Sequence, residues 1–189
     1  MNSYKVLNKQ TFTTGEYSLV PIRMEDRYDI MRWRNEQMYH LRQSETLTKE
    51  KQDWYFTNIV GKLFKEEKPQ QILFSFLQNN KCIGYGGLVH INWINSNAEI
   101  SFLLNTKNNH KEPYLKLFEI YLKLIEQVAI NCELHKIYTY GYDYANYRFE
   151  PLELRGYTKE AQLIDHVVVY GNFCNVRIYS KYLNRLWKN

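Results

Sequence analysis

The sequence predicts an α/β chain built on a mixed, mostly antiparallel seven-stranded sheet flanked by helices. Three observations predict it. Residues 81–104, KCIGYGGLVHINWINSNAEISFLL, read as two strands joined by an Asn-rich turn. A long helical stripe from Pro113 and then the strand-like run HKIYTYGYD follow, an order that makes a parallel strand pair through a right-handed crossover. The other strand-like runs come mostly as hairpins, whose strands pair antiparallel.

Taken in order, YSLVPIR (17–23) alternates weakly and reads as a first strand. MEDRYDIMRWRN then carries Glu25 and Asp26 at its start, Arg32 and Arg34 at its end, and Ile30, Met31 and Trp33 between, the charge order a helix dipole favours. Asn35 can end this helix. Thr48 suits the N-cap of a second, KEKQDWYFTNIVGKLFKEE, where Tyr55, Ile59 and Leu63 recur every fourth residue. The period then changes: QILFSFLQ, a turn at Asn79-Asn80-Lys81 and CIGYGGLVHI form a hairpin. A second turn over Asn92 to Asn97 leads to AEISFLL.

Pro113 fits the first turn of the next helix, whose stripe is Tyr114, Leu117, Phe118, Tyr121, Leu124, Ile125 and Val128. After HKIYTYGYD a short helix runs from Asn146 to Leu154, closed by Gly156. AQLIDHVVVY, a Gly171-Asn172 turn and FCNVRIYSKYL close the chain as a hairpin.

At 189 residues and 44% hydrophobic content, one domain over 1–189 is expected. No window reaches the ~18 consecutive apolar residues of a membrane span, and MNSYKVLNKQ lacks the apolar core of a signal peptide, so the expected location is cytoplasmic, away from membranes. Cys82, Cys132 and Cys174 are odd in number and widely spaced, which suits neither a disulfide framework nor a CxxC metal site; no metal is expected. A net charge of +5, spread over 25 basic and 20 acidic residues without runs, suits an anionic ligand. Nucleic-acid signatures are missing, so no nucleic-acid partner is expected. The 17 tyrosines favour strands and supply amphipathic cavity walls.

Residues 81–104, with the helix from Pro113 and HKIYTYGYD, resemble the acyl-CoA-binding heart of the GNAT superfamily of N-acetyltransferases. LVPIRMEDRYDIMRWRNEQMYHLRQSETLTKEKQDWYF is similar to the N-terminal signature of its ribosomal-protein and amino-sugar branch, where Trp-Arg-Asn (33–35) ends the first helix and an acidic-aromatic pair, Asp53-Trp54, sits in the second. LHKIYTYGYDYANYRFEPLELRGYTKEAQLIDH resembles that branch's C-terminal half. The resemblance covers almost the whole chain. It implies a GNAT fold whose parallel strands splay into an acyl-CoA cleft, and acetyl-CoA as co-substrate. The implied reaction is direct transfer of an acetyl group to a primary amine.

Such transfer needs orientation, an acceptor for the amine proton, and donors for the oxyanion and the leaving thiolate. Alternation puts Glu99, Ser101 and Leu103 on one face of their strand and Ile100, Phe102 and Leu104 on the other, so Glu99 is the candidate base. His90, in the preceding strand, is a second candidate, of the residue type that titrates near neutral pH. The resemblance implies that backbone groups of Phe102, Leu103 and Leu104 pair with the donor's pantetheine amides as an added strand does.

The family's phosphate segment, Q/R-x-x-G-x-G/A, is replaced here by Thr106-Lys107-Asn108-Asn109-His110-Lys111-Glu112-Pro113, without glycine. Asn108 and Asn109 can take left-handed conformations, and Lys107 and Lys111 offer charge. Asn146 lies close to the position of the family's Asn at the start of the short helix. The thiolate-protonating Tyr is replaced by Leu152, with Tyr147 and Tyr144 nearby.

The family's first two helices wall the acceptor site, which points to Arg34, Asn35, Glu36 and Trp54. Arg34 suits a phosphate or carboxylate, and Trp54 a sugar or apolar group. The implied acceptor is a small-molecule amine, an amino-sugar nucleotide first, or a protein N-terminal amine, used by a monomer or homodimer. The alternative is a GNAT-fold binding or regulatory protein that has lost acetyl-CoA.

Overall fold

The computed structural model describes residues 2–183. Its strands are β1 (Phe12–Thr14), β2 (Tyr17–Pro21), β3 (Ile72–Gln78), β4 (Lys81–Asn92), β5 (Asn97–Leu104), β6 (Lys136–Tyr142), β7 (Thr158–Val169) and β8 (Asn172–Tyr182). They form one sheet in the order β1-β2-β3-β4-β5-β6-β8-β7. The sheet thus has eight strands where seven were expected. The addition is β1, three residues folded back on β2 through Gly15 at φ +56°, too short for any alternation to show in sequence.

Helices α1 (Arg27–Glu36) and α2 (Lys49–Tyr55) follow β2. A 3-10 turn at Met24–Asp26 precedes α1, so the helix proper starts later than its charge pattern suggests. Thr48 caps α2 by accepting from the Lys51 N–H at 3.3 Å. Beyond Tyr55 the chain widens into a π-helical turn, Phe56–Val60, then α3 (Gly61–Leu63). Asn79 and Asn80 both adopt left-handed backbone, φ 48° and 62°, which closes β3 onto β4.

The crossover helix α4 (Lys111–Asn131) takes Pro113 in its first turn, where a missing N–H costs nothing. A 3-10 turn at Asn146–Phe149 leads into α5 (Glu150–Leu154). The last hairpin turns at Tyr170 and Gly171, φ 51° and 79°, one residue earlier than expected.

β5 and β6 are the parallel pair, in register over Asn97–Lys136, Ala98–Ile137 and Glu99–Tyr138. Past Glu99 they diverge, β5 continuing to Leu104 and β6 joining β8 along its length. One sheet face is covered by α4: the Phe102 ring stacks on Phe118 at 4.7 Å and meets Tyr121 at 4.4 Å. The opposite face is covered by Ile30 and Trp33 of α1 and by Phe56, Val60 and Leu63. Full burial of such side chains stabilises by about 1.5–3 kcal/mol each, so both layers are firmly seated. Among the described residues no helix is long and apolar enough to cross a membrane.

Candidate active site

The divergence of β5 from β6 opens a cleft of about 710 Å³, walled by β4 and β5, by β6, by α1 and α2, and by the turn at Asn146–Phe149. Backbone geometry sets what it offers. The Asn105 N–H donates to Ile83 O at 2.8 Å, and Tyr85 and Leu103 are opposed two residues further along the ladder. Antiparallel alternation then commits the backbone of Leu103 to β4 and turns that of Phe102 and Leu104 toward the splay. Leu104 O is met there by the Gln37 amide, which donates to it at 2.9 Å.

Glu99 stands where the strands part, its side chain 12% exposed, accepting from Arg42 Nη2 at 2.7 Å. His90 Nε2 lies 3.9 Å from the other carboxylate oxygen. The β4–β5 register slips between Val89 and Asn92, and His90 takes φ 49° there, leaving its ring largely exposed. Both residues line the cleft, as do Phe102, Leu103 and Leu104.

The segment after β5 divides in two. A 3-10 turn at Thr106–Asn108 is capped by the Asn105 side chain, which accepts from the Asn108 N–H at 3.0 Å. Lys107 and Asn108 thereby face a separate groove of about 360 Å³ shared with Asn79 and Lys81. Asn109 turns into the main cleft. Its amide donates to Gln37 Oε1 at 2.6 Å, and its oxygen accepts from Arg148 Nη2 at 2.7 Å. Lys111 is exposed at the start of α4.

Of the four expected acceptor contacts, Arg34 and Trp54 line the cleft. Arg34 donates to Tyr85 OH at 2.6 Å and to Gln43 Oε1 at 2.9 Å. Trp54 is 60% exposed on α2, which Asp53 fastens to α1 through Arg27 (2.5 Å) and Tyr28 (2.8 Å). Asn35 instead holds the loop after α1, donating to Leu47 O and accepting from Leu47 N–H, both at 2.9 Å. Glu36 accepts from the Thr106 hydroxyl. Asn146 accepts from Arg177 at 2.7 Å, and Tyr147 packs edge-on against Tyr114, while Tyr144 lies on the cleft wall.

Sequence reasoning missed Arg148, Gln37, His40 and Thr139. Arg148 is buried at 9% exposure within the aromatic run 144–149, and that run was its only signal. His40 stacks on Tyr144, and burial, then the charge of Arg148, push its imidazole down to about 4, so it is neutral near pH 7. Thr139 Oγ1, Tyr144 OH and Arg148 Nε are buried polar atoms without partners, and all three residues border the cleft. Leaving such atoms unpaired is costly. A cleft bordered by the unpaired strand backbone past Glu99 fits the extended, amide-bearing arm of an acyl-CoA. A glycine cradle for its phosphates is not present among the described residues that border the cleft.

The profile of the acetyltransferase (GNAT) domain family matches residues 19–146. No curated protein sequence matches significantly. Among solved structures, spermidine N-acetyltransferase from Vibrio cholerae, in complex with CoA and spermine, superposes with a TM-score of 0.75 at 16% identity, over 90% of this chain and 97% of that one. The ribosomal-protein-S5-alanine acetyltransferase from Vibrio fischeri gives 0.71 at 14% identity, over 96% and 100%. Fold and profile together define the class: the chain belongs to the GNAT acetyltransferase family. It is an N-acetyltransferase with acetyl-CoA as its co-substrate.

Proposed function

We propose that residues 1–189 form one cytoplasmic N-acetyltransferase domain that acetylates the primary amine of an anionic acceptor, an amino-sugar nucleotide in the first instance. One observation carries this reading. Among the described residues, Arg34, Arg42, Lys51 and Arg148 line the cleft against a single carboxylate, Glu99, which Arg42 already pairs. Arg34 gives its two hydrogen bonds to neutral oxygens and keeps its charge for a ligand. A polyamine such as the spermine bound by the Vibrio cholerae structure would meet like charges here, whereas a sugar nucleotide brings a diphosphate and a ring for Trp54.

Acetyl-CoA supplies a thioester-activated acetyl group. In this proposal the backbone of Phe102 and the N–H of Leu104 align its arm, and Asn109 borders the phosphate end. Arg34 takes an acceptor phosphate, which brings the amine toward Glu99. Glu99 accepts the amine proton, directly or through water, with His90 beside it. Of the two tyrosines near the short helix, Tyr147 packs against Tyr114, and Tyr144 borders the cleft beside Arg148, at the phosphate end of the arm.

The test is mass spectrometry of products from acetyl-CoA with a UDP-amino-sugar, a peptide with a free N-terminus, and spermidine. We expect the sugar nucleotide to be acetylated fastest. Spermidine as the best acceptor would overturn the reading, and a better peptide would move it to the protein N-terminal amine. Absence of calorimetric acetyl-CoA binding would support the binding-protein alternative.

A further inference from the structure

Arg148 carries a charge in an unusual setting. Its guanidinium is ringed by Tyr114, Tyr144 and Tyr147 at 4.4, 4.7 and 5.6 Å, and it donates through Nη2 to Asn109. Among the described residues no carboxylate lies within 4.0 Å of it, and its Nε–H has no partner. Tyrosine faces offset part of the desolvation of a cation but do not neutralise it. The rings themselves stay uncharged: burial pushes the Tyr114 hydroxyl up to about 12 and that of Tyr144 higher still. A buried cation on a cleft wall, with no carboxylate beside it, is complementary to an anion.

Its position says which anion. From Leu104 O, a hydrogen-bonded chain runs through Gln37 and Asn109 to Arg148. An acyl-donor arm laid along β5 past Leu104 therefore arrives at Asn109 and Arg148. A glycine loop for a diphosphate is missing there, since residues 106–113 contain no glycine, and Pro113 has no N–H. Lys107 faces the other groove and Lys111 is turned to solvent.

We propose that the Arg148 guanidinium receives the diphosphate of the acyl donor, replacing a backbone glycine cradle with one buried side chain. This rests on the acetyl-CoA reading above. An arginine fork supplies two parallel N–H donors to phosphate oxygens and is not replaced in full by lysine.

The test is calorimetry of acetyl-CoA and of S-acetylpantetheine, which lacks the diphosphate, with the unmodified chain, Arg148→Gln and Arg148→Lys, each checked for folding by circular dichroism. Arg148→Gln is expected to weaken acetyl-CoA by about 10- to 100-fold while leaving acetylpantetheine within roughly twofold. Arg148→Lys, which keeps charge and stem, should lose roughly fivefold or more for acetyl-CoA alone, and it decides the matter if the Gln variant does not fold. Unchanged acetyl-CoA affinity, or equal losses for both ligands, overturns the role of Arg148 and leaves the donor reading standing. Failure of the unmodified chain to bind acetyl-CoA overturns both.

Discussion

Arg42 Nη2 lies 2.7 Å from Glu99 Oε1, and the same guanidinium sits 4.2 Å over the Tyr140 ring. A residue from the loop after α1 thus closes on the strand where β5 and β6 separate. Among the described residues Glu99 is the one carboxylate on the cleft wall. If Glu99 takes the amine proton, Glu99→Gln should lower turnover by roughly 10²–10⁴-fold with little change in acetyl-CoA affinity. Steady-state rates and calorimetry check both halves. Unchanged turnover at neutral pH would remove Glu99 from the mechanism in favour of His90 or a water chain.

Arg34 bears on the acceptor. Arg34→Gln should raise KM for a sugar-nucleotide acceptor by about 10- to 100-fold, the loss expected for a hydrogen bond to a charged group, with kcat for the bound acceptor little changed. Acetyl-CoA affinity should stay near that of the unmodified chain. A KM unaffected by the change would detach Arg34 from the acceptor.

Gly86 tests the packing behind the cleft. A Cβ there would fall 2.1 Å from Ser101 O and 2.6 Å from Tyr121 OH, where Tyr121 donates to Ser101 O at 2.7 Å. Gly86→Ala should therefore force strand and helix apart, at a cost of roughly 1–3 kcal/mol. Thermal melts should show Tm lower by roughly 3–10 °C, and an unshifted Tm would mean that β4 yields at that point.

His40 links stability to pH. Its imidazole, ordinarily at 6.5, is pushed down to about 4 in the folded chain by burial and then by Arg148. Between those values the unfolded chain binds more protons than the folded one, so stability rises with pH across the window. The contribution is present in full above about 6.5 and is lost as pH falls toward 4, by roughly 1–3 kcal/mol. Denaturation midpoints at pH 7.5, 5.5 and 4.5 should show this decline, and His40→Gln should flatten it. Equal acid sensitivity in both proteins would assign the decline to other groups.

Local signals carried most of the fold. Periodicity marked α4 and the β3–β4 hairpin, Thr48 marked a helix start, and the strand-helix-strand order of β5, α4 and β6 implied the parallel pair. These are short-range features, set by residues within a turn or two of one another, and a sequence displays them directly. The strand β1 escaped because three residues, two of them threonine, show no alternation, and the π-helical turn at Phe56–Val60 has the same apolar spacing as a regular helix.

By itself, the sequence determined which residue types were available to the cleft: a carboxylate at position 99, an arginine at position 34, and a phosphate segment without glycine. Only the tertiary structure decided how they are used. It turned Asn109 inward and Lys107 into another groove, although the two are separated by one residue, because the side chain of Asn105 caps the turn between them. It also brought Arg148 to Asn109, 39 residues away in sequence, and to a cage of three tyrosines among 17. Contacts of that range depend on where β5 and β6 separate. That point is set by the register of the whole sheet, which no local pattern encodes.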